Sequence, residues 1–163
     1  MARLSECEAG GRNVLAFLDM IAVSEGTDIP SQRSKDDGYD VLVGGGLLTS
    51  YTAHPNRLVT LRANLKSTAA GRYQFLKRTW DEIAKAYRLA DFSPENQDRA
   101  AIALLRRRKA LDDVKAGRWD AAIRKVSKEW ASIPGAGYGQ HEQPVERLRD
   151  AYAKAGGTFA SVA

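Results

Sequence analysis

The chain has 163 residues, of which 44% are hydrophobic and 28% charged, with a formal net charge of +5. That is the make-up of one soluble globular domain with a real core; it leaves little room for a second domain, and no low-complexity tract or repeat of useful length argues for disorder away from the ends. The charge is uneven, with 5 Lys and Arg against 8 Asp and Glu in residues 1–60 and 20 against 12 in residues 61–163, so the C-terminal part attracts polyanions: nucleic acid, anionic lipid or acidic envelope polymers.

Residues 1–11 lack periodicity and include Gly10 and Gly11, which predicts a loosely ordered lead; Cys7, the one cysteine, excludes an internal disulfide. A helix is predicted over residues 12–25, because Val14, Phe17, Leu18 and Ile21 follow the i, i+3, i+4, i+7 spacing of a buried face. Its apolar run, residues 14–23, is broken by Asp19 and too short for a membrane span, and no signal-peptide pattern precedes it, so no targeting segment is expected. Glu25 is the next member of the same stripe. A carboxylate there points inward at the end of the helix, and Gly26 suits the left-handed position that follows. Desolvation and the negative helix terminus would raise its pKa, which suits a general acid, although helix-end glutamates are also commonly solvated or paired with Arg or Lys.

Residues 27–37 are polar. Two β-rich runs, residues 39–43 and 47–51, flank Gly44, Gly45 and Gly46 and predict a hairpin, and residues 54–71 read as irregular. Phe75, Leu76, Trp80, Ile83, Ala84 and Tyr87 mark an amphipathic helix. Ser93, Pro94 and Glu95 start another as N-cap, N1 and acidic first turn, and Asp120 is expected to cap a third that carries Ile123, Val126, Trp130 and Ile133. Residues 134–139, with one proline and three glycines, form a loop, and a last helix starts near Pro144 and ends before Gly156. A helix, a small β element and then several helices describe an α+β fold with a helical majority.

Three segments stand out for chemistry: Ser24-Glu25-Gly26, the run from Lys66 to Phe75, and the loop from Ile133 to Gln140. Taken singly, Ser67 or Thr68 reads as a helix N-cap, Gln74 as an exposed helix residue and Tyr138 as a packed surface aromatic. His54, His141 and Cys7 fall short of a zinc site, and Gly44 to Gly46 lack the Lys-Ser/Thr of a phosphate loop, so neither metal nor cofactor is expected. The run Arg106-Arg107-Arg108-Lys109 favours nucleic acid, but a solvated helix face explains it equally well and no interleaved aromatics accompany it; a nucleic-acid partner is not expected.

Read in order, a longer set of segments carries a family likeness. It runs through Ala16-Phe17-Leu18-Asp19-Met20, Ser24-Glu25-Gly26-Thr27-Asp28, Gly38-Tyr39-Asp40-Val41, Val43-Gly44-Gly45, His54-Pro55 and Leu58-Val59-Thr60-Leu61. It continues through Lys66-Ser67-Thr68, Ala70-Gly71-Arg72-Tyr73-Gln74, Asp91-Phe92-Ser93-Pro94, Gln97-Asp98 and Trp130-Ala131-Ser132 ahead of the Pro134 loop. Over nearly its whole length the chain resembles the lambda-type phage endolysins, single-domain peptidoglycan lytic transglycosylases with a lysozyme-like fold. The resemblance implies one catalytic domain over residues 1–163, with a helical lobe and a small β-hairpin lobe flanking a substrate cleft. It implies Glu25 as the acid/base. Gln74 and Tyr138 would line the saccharide cleft, with Tyr39, Lys66, Ser67, Thr68 and Gln140 as further substrate-binding candidates. The family carries an acidic residue where this chain has Gly46, a departure that removes a possible second carboxylate and leaves the acid untouched.

The implied reaction is cleavage of the MurNAc-GlcNAc β-1,4 bond of peptidoglycan with formation of 1,6-anhydromuramic acid, causing host lysis. A conventional glycosidase needs two carboxyls, whereas a transglycosylase can work with one, since the sugar's own 6-hydroxyl replaces water. Two other readings stay open: a hydrolytic muramidase using Asp40 or Asp37 as second carboxyl, and a basic, non-enzymatic module binding envelope polymer or nucleic acid, in which an inward glutamate has no use. The resemblance further implies a monomer without stable membrane association. It would collect in the host cytoplasm and reach the periplasm and cell wall after a separate holin acts.

Overall fold

The structure, a computed structural model, describes residues 1–62, 64–137 and 142–161. Its elements are α1 (Glu6–Ala9), α2 (Arg12–Ser24), β1 (Val59–Arg62), β2 (Leu65–Ser67), α3 (Lys77–Tyr87), α4 (Pro94–Arg107), α5 (Leu111–Lys115), α6 (Trp119–Val126) and α7 (Val145–Lys154). The fold is α+β, with helices around a core and one antiparallel pair of strands, β1 and β2.

Helix α2 is the axis of the helical part, and α1, α4, α5 and α7 all pack against it. Its burial extends beyond the predicted stripe to Ala16, Met20, Ala22 and Ser24, because a helix enclosed by neighbours on several sides has no broad solvent face. Full burial of a side chain such as Phe17 or Ile21 contributes about 1.5–3 kcal/mol. The helix ends as expected: Glu25 is the C-cap and Gly26 follows at φ +71°.

The N-terminal lead is not loose. Ser5 and Glu8 form a reciprocal capping box on α1, Leu4 and Ala9 are buried, and the backbone N–H groups of Arg3 and Leu4 donate to Asp98 at 2.6 and 3.0 Å. The expected hairpin around Gly44 to Gly46 is reduced to a tight antiparallel turn without a strand ladder. Only an isolated bridge joins Val41 to Leu47, while Leu42 bridges to Ala70 and the Val43 N–H donates to the Ala69 carbonyl. Locally the Leu42 and Leu48 N–H groups donate to the Gly46 and Asp40 carbonyls at 2.7 and 2.6 Å, and the distant segment meets the backbone groups that this turn leaves over. The ladder forms instead within residues 54–71, where β1 and β2 pair across a turn that holds Asn64 at φ +64°.

Helix α3 starts at Lys77, later than the apolar periodicity suggests, because Gln74 takes φ +50° and the chain folds back there, with the Ala70 and Phe75 backbones bonded to each other. Ser93 and Pro94 start α4 as predicted. Helix α5 had no sequence signal, and Arg118 rather than Asp120 occupies the N-cap of α6; Asp120 lies in the first turn and pairs with Arg149 at 3.0 Å.

Candidate active site

Glu25 stands at the wall of a groove of about 350 Å³ that is also lined by Lys66 and Ser67 of β2, Gln74, Glu129 and Trp130. The residue is only partly buried, but its carboxyl is desolvated, and burial pushes it up to about 7 against the pull of a hydrogen bond from Ser132. That bond runs from the Ser132 hydroxyl to Glu25 Oε1 at 2.5 Å. Ser132 spends its proton there, so in its 2.8 Å contact with Ser24 the Ser24 hydroxyl is the donor. The two serines form a one-directional chain ending on Oε1. An oxygen that accepts in this way keeps carbonyl character, and the acid proton resides on Oε2.

The turn from Ala70 to Phe75 delivers Gln74 to the same groove. Its backbone N–H donates to the Gly71 carbonyl at 3.1 Å, and its side-chain amide Nε2 donates to the carbonyls of Gly71 and Val41 at 2.9 and 3.2 Å, so the orientation of the amide is fixed. Gly71 is required: at φ +79°, a Cβ would sit 2.3 Å from the buried Gln97 side-chain oxygen. Gln97 in turn accepts from the Arg72 N–H and donates to the Tyr39 and Phe92 carbonyls, and so locks the back of the turn.

Of the residues expected at the site, Glu25, Lys66, Ser67 and Gln74 share the groove. Thr68 does not line it; its hydroxyl accepts the Lys77 N–H at 3.1 Å at the start of α3, the helix-cap role its residue type allows. Tyr39 is a correction: it is fully buried, and its hydroxyl donates to Asp98 at 2.7 Å, while Tyr73 donates to the same carboxylate at 2.5 Å. Burial raises the Tyr39 phenol far above its ordinary value, helped by the adjacent Asp98 charge. Tyr138 and Gln140 lie outside the described residues, as does His141.

Asp37 and Asp40, the expected second-carboxyl candidates, and their neighbour Asp36 are engaged elsewhere. Asp36 accepts from Tyr51 at 2.7 Å and pairs with Arg3, and Asp37 pairs with Arg3 and the N-terminus at 3.4 and 3.6 Å. Asp40 is buried and accepts from the Ser34 hydroxyl and the Lys35 N–H at 2.5 and 3.0 Å. None of the three lines the groove.

Two residues at the site had no role in the sequence reading: Ser132, which bonds Glu25, and Glu129 on the groove wall. Glu129 is, among the described residues, the one carboxylate besides Glu25 on the groove wall. Its side chain is 6% exposed and is gripped by Arg107 at 2.6 Å and Arg108 at 2.7 Å. The basic run is therefore not a plain solvated face, since Arg107 and Arg108 hold Glu129 and Arg106 lies over the Tyr87 ring. A larger cavity of about 630 Å³ opens between α2 and α7, where Asp28, Asp150, Arg147 and Lys154 surround an apolar floor; it contains none of the expected site residues. His54 bonds the Phe75 carbonyl at 2.8 Å in the core, and burial lowers its pKa.

The sequence profile of the Endolysin family matches residues 15–159. The endolysin of Escherichia phage lambda is 50% identical over 147 residues, 90% of this chain and 93% of its own length. That of Escherichia phage P2 is 47% identical over 156 residues, 90% of this chain and 94% of its own. The structure of bacteriophage lambda lysozyme complexed with a chitohexasaccharide superposes with a TM-score of 0.88 at 47% identity, covering 98% of this chain and 99% of that one. A second structure of lysozyme from bacteriophage lambda superposes at 0.85 and 45% identity over the same shares. With a glutamate at the end of its central helix, a groove beside it and relatives of this similarity along almost its whole length, the chain belongs to the endolysin family.

Proposed function

We propose that this endolysin cleaves the MurNAc-GlcNAc β-1,4 bond of peptidoglycan as a lytic transglycosylase, with Glu25 as its one catalytic carboxyl. The observation that carries the reading is the state of the two groove carboxylates: Glu25 is desolvated and held near neutral pKa, and Glu129 is committed to two arginines. The chitohexasaccharide complex of the lambda lysozyme supports a β-1,4-linked glycan as the occupant. Glu25 Oε2 gives its proton to the glycosidic oxygen, and the bond from the anomeric carbon to that oxygen breaks. The carboxylate so formed faces the developing positive charge, takes the proton of the muramic 6-hydroxyl, and lets that oxygen bond to the anomeric carbon. The ring closes as a 1,6-anhydro sugar and Glu25 is again an acid. Water contributes no atoms, so no second base is needed. The fixed Gln74 amide is suited to orienting an N-acetyl sugar in the groove.

Mass spectrometry of digested peptidoglycan tests this directly. Anhydromuramic ends, lighter by one water than reducing muramic acid, are expected as the main product; reducing ends would replace the reading with hydrolysis, for which Glu129 would have to leave Arg107 and Arg108 to activate water. Family membership also supports a monomer that collects in the cytoplasm of the infected cell and meets the wall once a holin has opened the membrane. Fractionation of infected cells before and after holin action tests that route.

A further inference from the structure

The segment that carries Ser132 is tied to the rest of the molecule just before it. Beyond α6, the chain turns through Glu129 and Trp130, whose buried indole donates to the Tyr73 carbonyl at 3.1 Å, and reaches Ser132 two residues later. On the other side, Arg107 and Arg108 at the end of α4 close on the two oxygens of Glu129, one arginine to each. This pair-to-one grip is far more geometry than a solvated glutamate needs. Its effect is to hold the 129–132 turn between α4 and the turn at Tyr73.

We propose that Glu129, clamped by Arg107 and Arg108, is a positioning residue that acts through Ser132: it holds the Ser132 hydroxyl on Glu25 Oε1 and so sets both the orientation and the proton affinity of the acid. The proposal rests on Glu25 being the catalytic acid. The charged groups that face Glu25 from the elements around the groove, among the described residues, are Lys66 on β2 and Glu129 itself. Ser24 and Ser132 supply the hydroxyls. Two causes then predict opposite signs. If Glu129 acted on Glu25 by charge alone, removing it would favour the Glu25 anion and lower its pKa. If it acts through Ser132, removing it frees the hydroxyl, withdraws a hydrogen bond from the anion and raises the pKa.

The experiment follows the Glu25 carboxyl by carbon-13 NMR across pH in the full chain, alongside the pH profile of turnover on soluble glycan fragments. Ser132→Ala should raise the Glu25 midpoint and the alkaline limb of the profile by about half to one pH unit. Glu129→Ala should raise them similarly, whereas Glu129→Gln, as uncharged as the alanine but keeping one oxygen that accepts from an arginine, should stay closer to the wild type. In a Ser132→Ala background, Glu129→Ala should add nothing. The pair Arg107→Gln with Arg108→Gln opens the clamp from the other side, and keeps the test usable should Glu129→Ala not fold; it too should have no further effect in the Ser132→Ala background. A midpoint that stays put or falls in Glu129→Ala, equal shifts for the Ala and Gln variants, or shifts that persist without the Ser132 hydroxyl would overturn the clamp. Failure of the parent reading looks different: Glu25→Gln would then retain activity, whatever the clamp variants do.

Discussion

In the proposed mechanism Glu25 couples proton binding to folding as well as to catalysis. Its carboxyl titrates at about 7 in the folded chain against an ordinary 4.5, because burial penalises the anion more than the Ser132 bond favours it. Between those values the folded chain binds the extra proton, so the neutral acid's advantage is fully present below about 4.5 and is lost as pH rises through about 7. Glu25→Gln, which cannot ionise, should therefore be more stable than the wild type above pH 7, by about 1–3 kcal/mol, with the difference vanishing below pH 4.5. Urea melts at both ends of that range check it. The same variant should lose ~10²–10⁴ in turnover, because an amide keeps the shape and delivers no proton. A folded Glu25→Gln retaining a third of the wild-type rate would remove Glu25 from the mechanism. Wild-type turnover should fall as pH rises through about 7, as the acid is lost.

Among the elements, the turn from Ala70 to Phe75 and the N-terminal lead do the most to hold the groove in shape. Gly71→Ala forces a Cβ against the Gln97 oxygen at 2.3 Å in a left-handed backbone, so the turn must move and carry Gln74 with it. The expected cost is at least ~2 kcal/mol in stability, seen in urea midpoints, with a parallel loss of turnover in the protein that still folds. Asp98 on α4 is the anchor behind that turn, accepting from Tyr39, Tyr73, Arg3 and Leu4 in a fully buried setting. Desolvation still pushes its carboxyl above the ordinary value, in spite of the four donors. Asp98→Ala strands those donors in the interior and should cost about 3–5 kcal/mol. Thermal denaturation showing a loss below 1 kcal/mol would mean that water or a repacked neighbour replaces the anchor.

Across the whole molecule, the positive surplus of the C-terminal part is a long-range attraction toward polyanions, distinct from the groove beside Glu25. Its range is set by a Debye length of ~8–10 Å near physiological salt. Exposed Arg88 and Arg124 belong to this surface, whereas Arg107 and Arg108 are committed to Glu129. Arg88→Gln with Arg124→Gln should flatten the salt dependence of lysis on whole envelopes and leave turnover on short soluble glycans nearly unchanged. Rates compared across ionic strength on both substrates read this out; a fall on the soluble substrate would place those arginines at the groove.

What the sequence determined by itself is whatever depends on neighbours along the chain. The spacing of Val14, Phe17, Leu18, Ile21 and Glu25 encodes helix α2, its buried face and the inward carboxyl, and Gly26 encodes the helix end, because all of these are periodic or local effects. Ser93 and Pro94 start α4 for the same reason. Only the tertiary structure decided what depends on partners far away. Leu42 bridges to Ala70 as well as bonding across its local turn, Tyr39 turns inward because Asp98 waits 59 positions on, and residues 1–11 are ordered because the same carboxylate accepts their backbone N–H groups. Ser132 meets Glu25 across 107 positions, and Glu129 meets Arg107 and Arg108 across 22 and 21. Single-chain periodicity holds no record of such pairs, since a hydroxyl or a carboxylate has the same local preferences wherever its partner lies; it is burial around Glu25, created by packing, that turns an ordinary glutamate into an acid titrating at about 7.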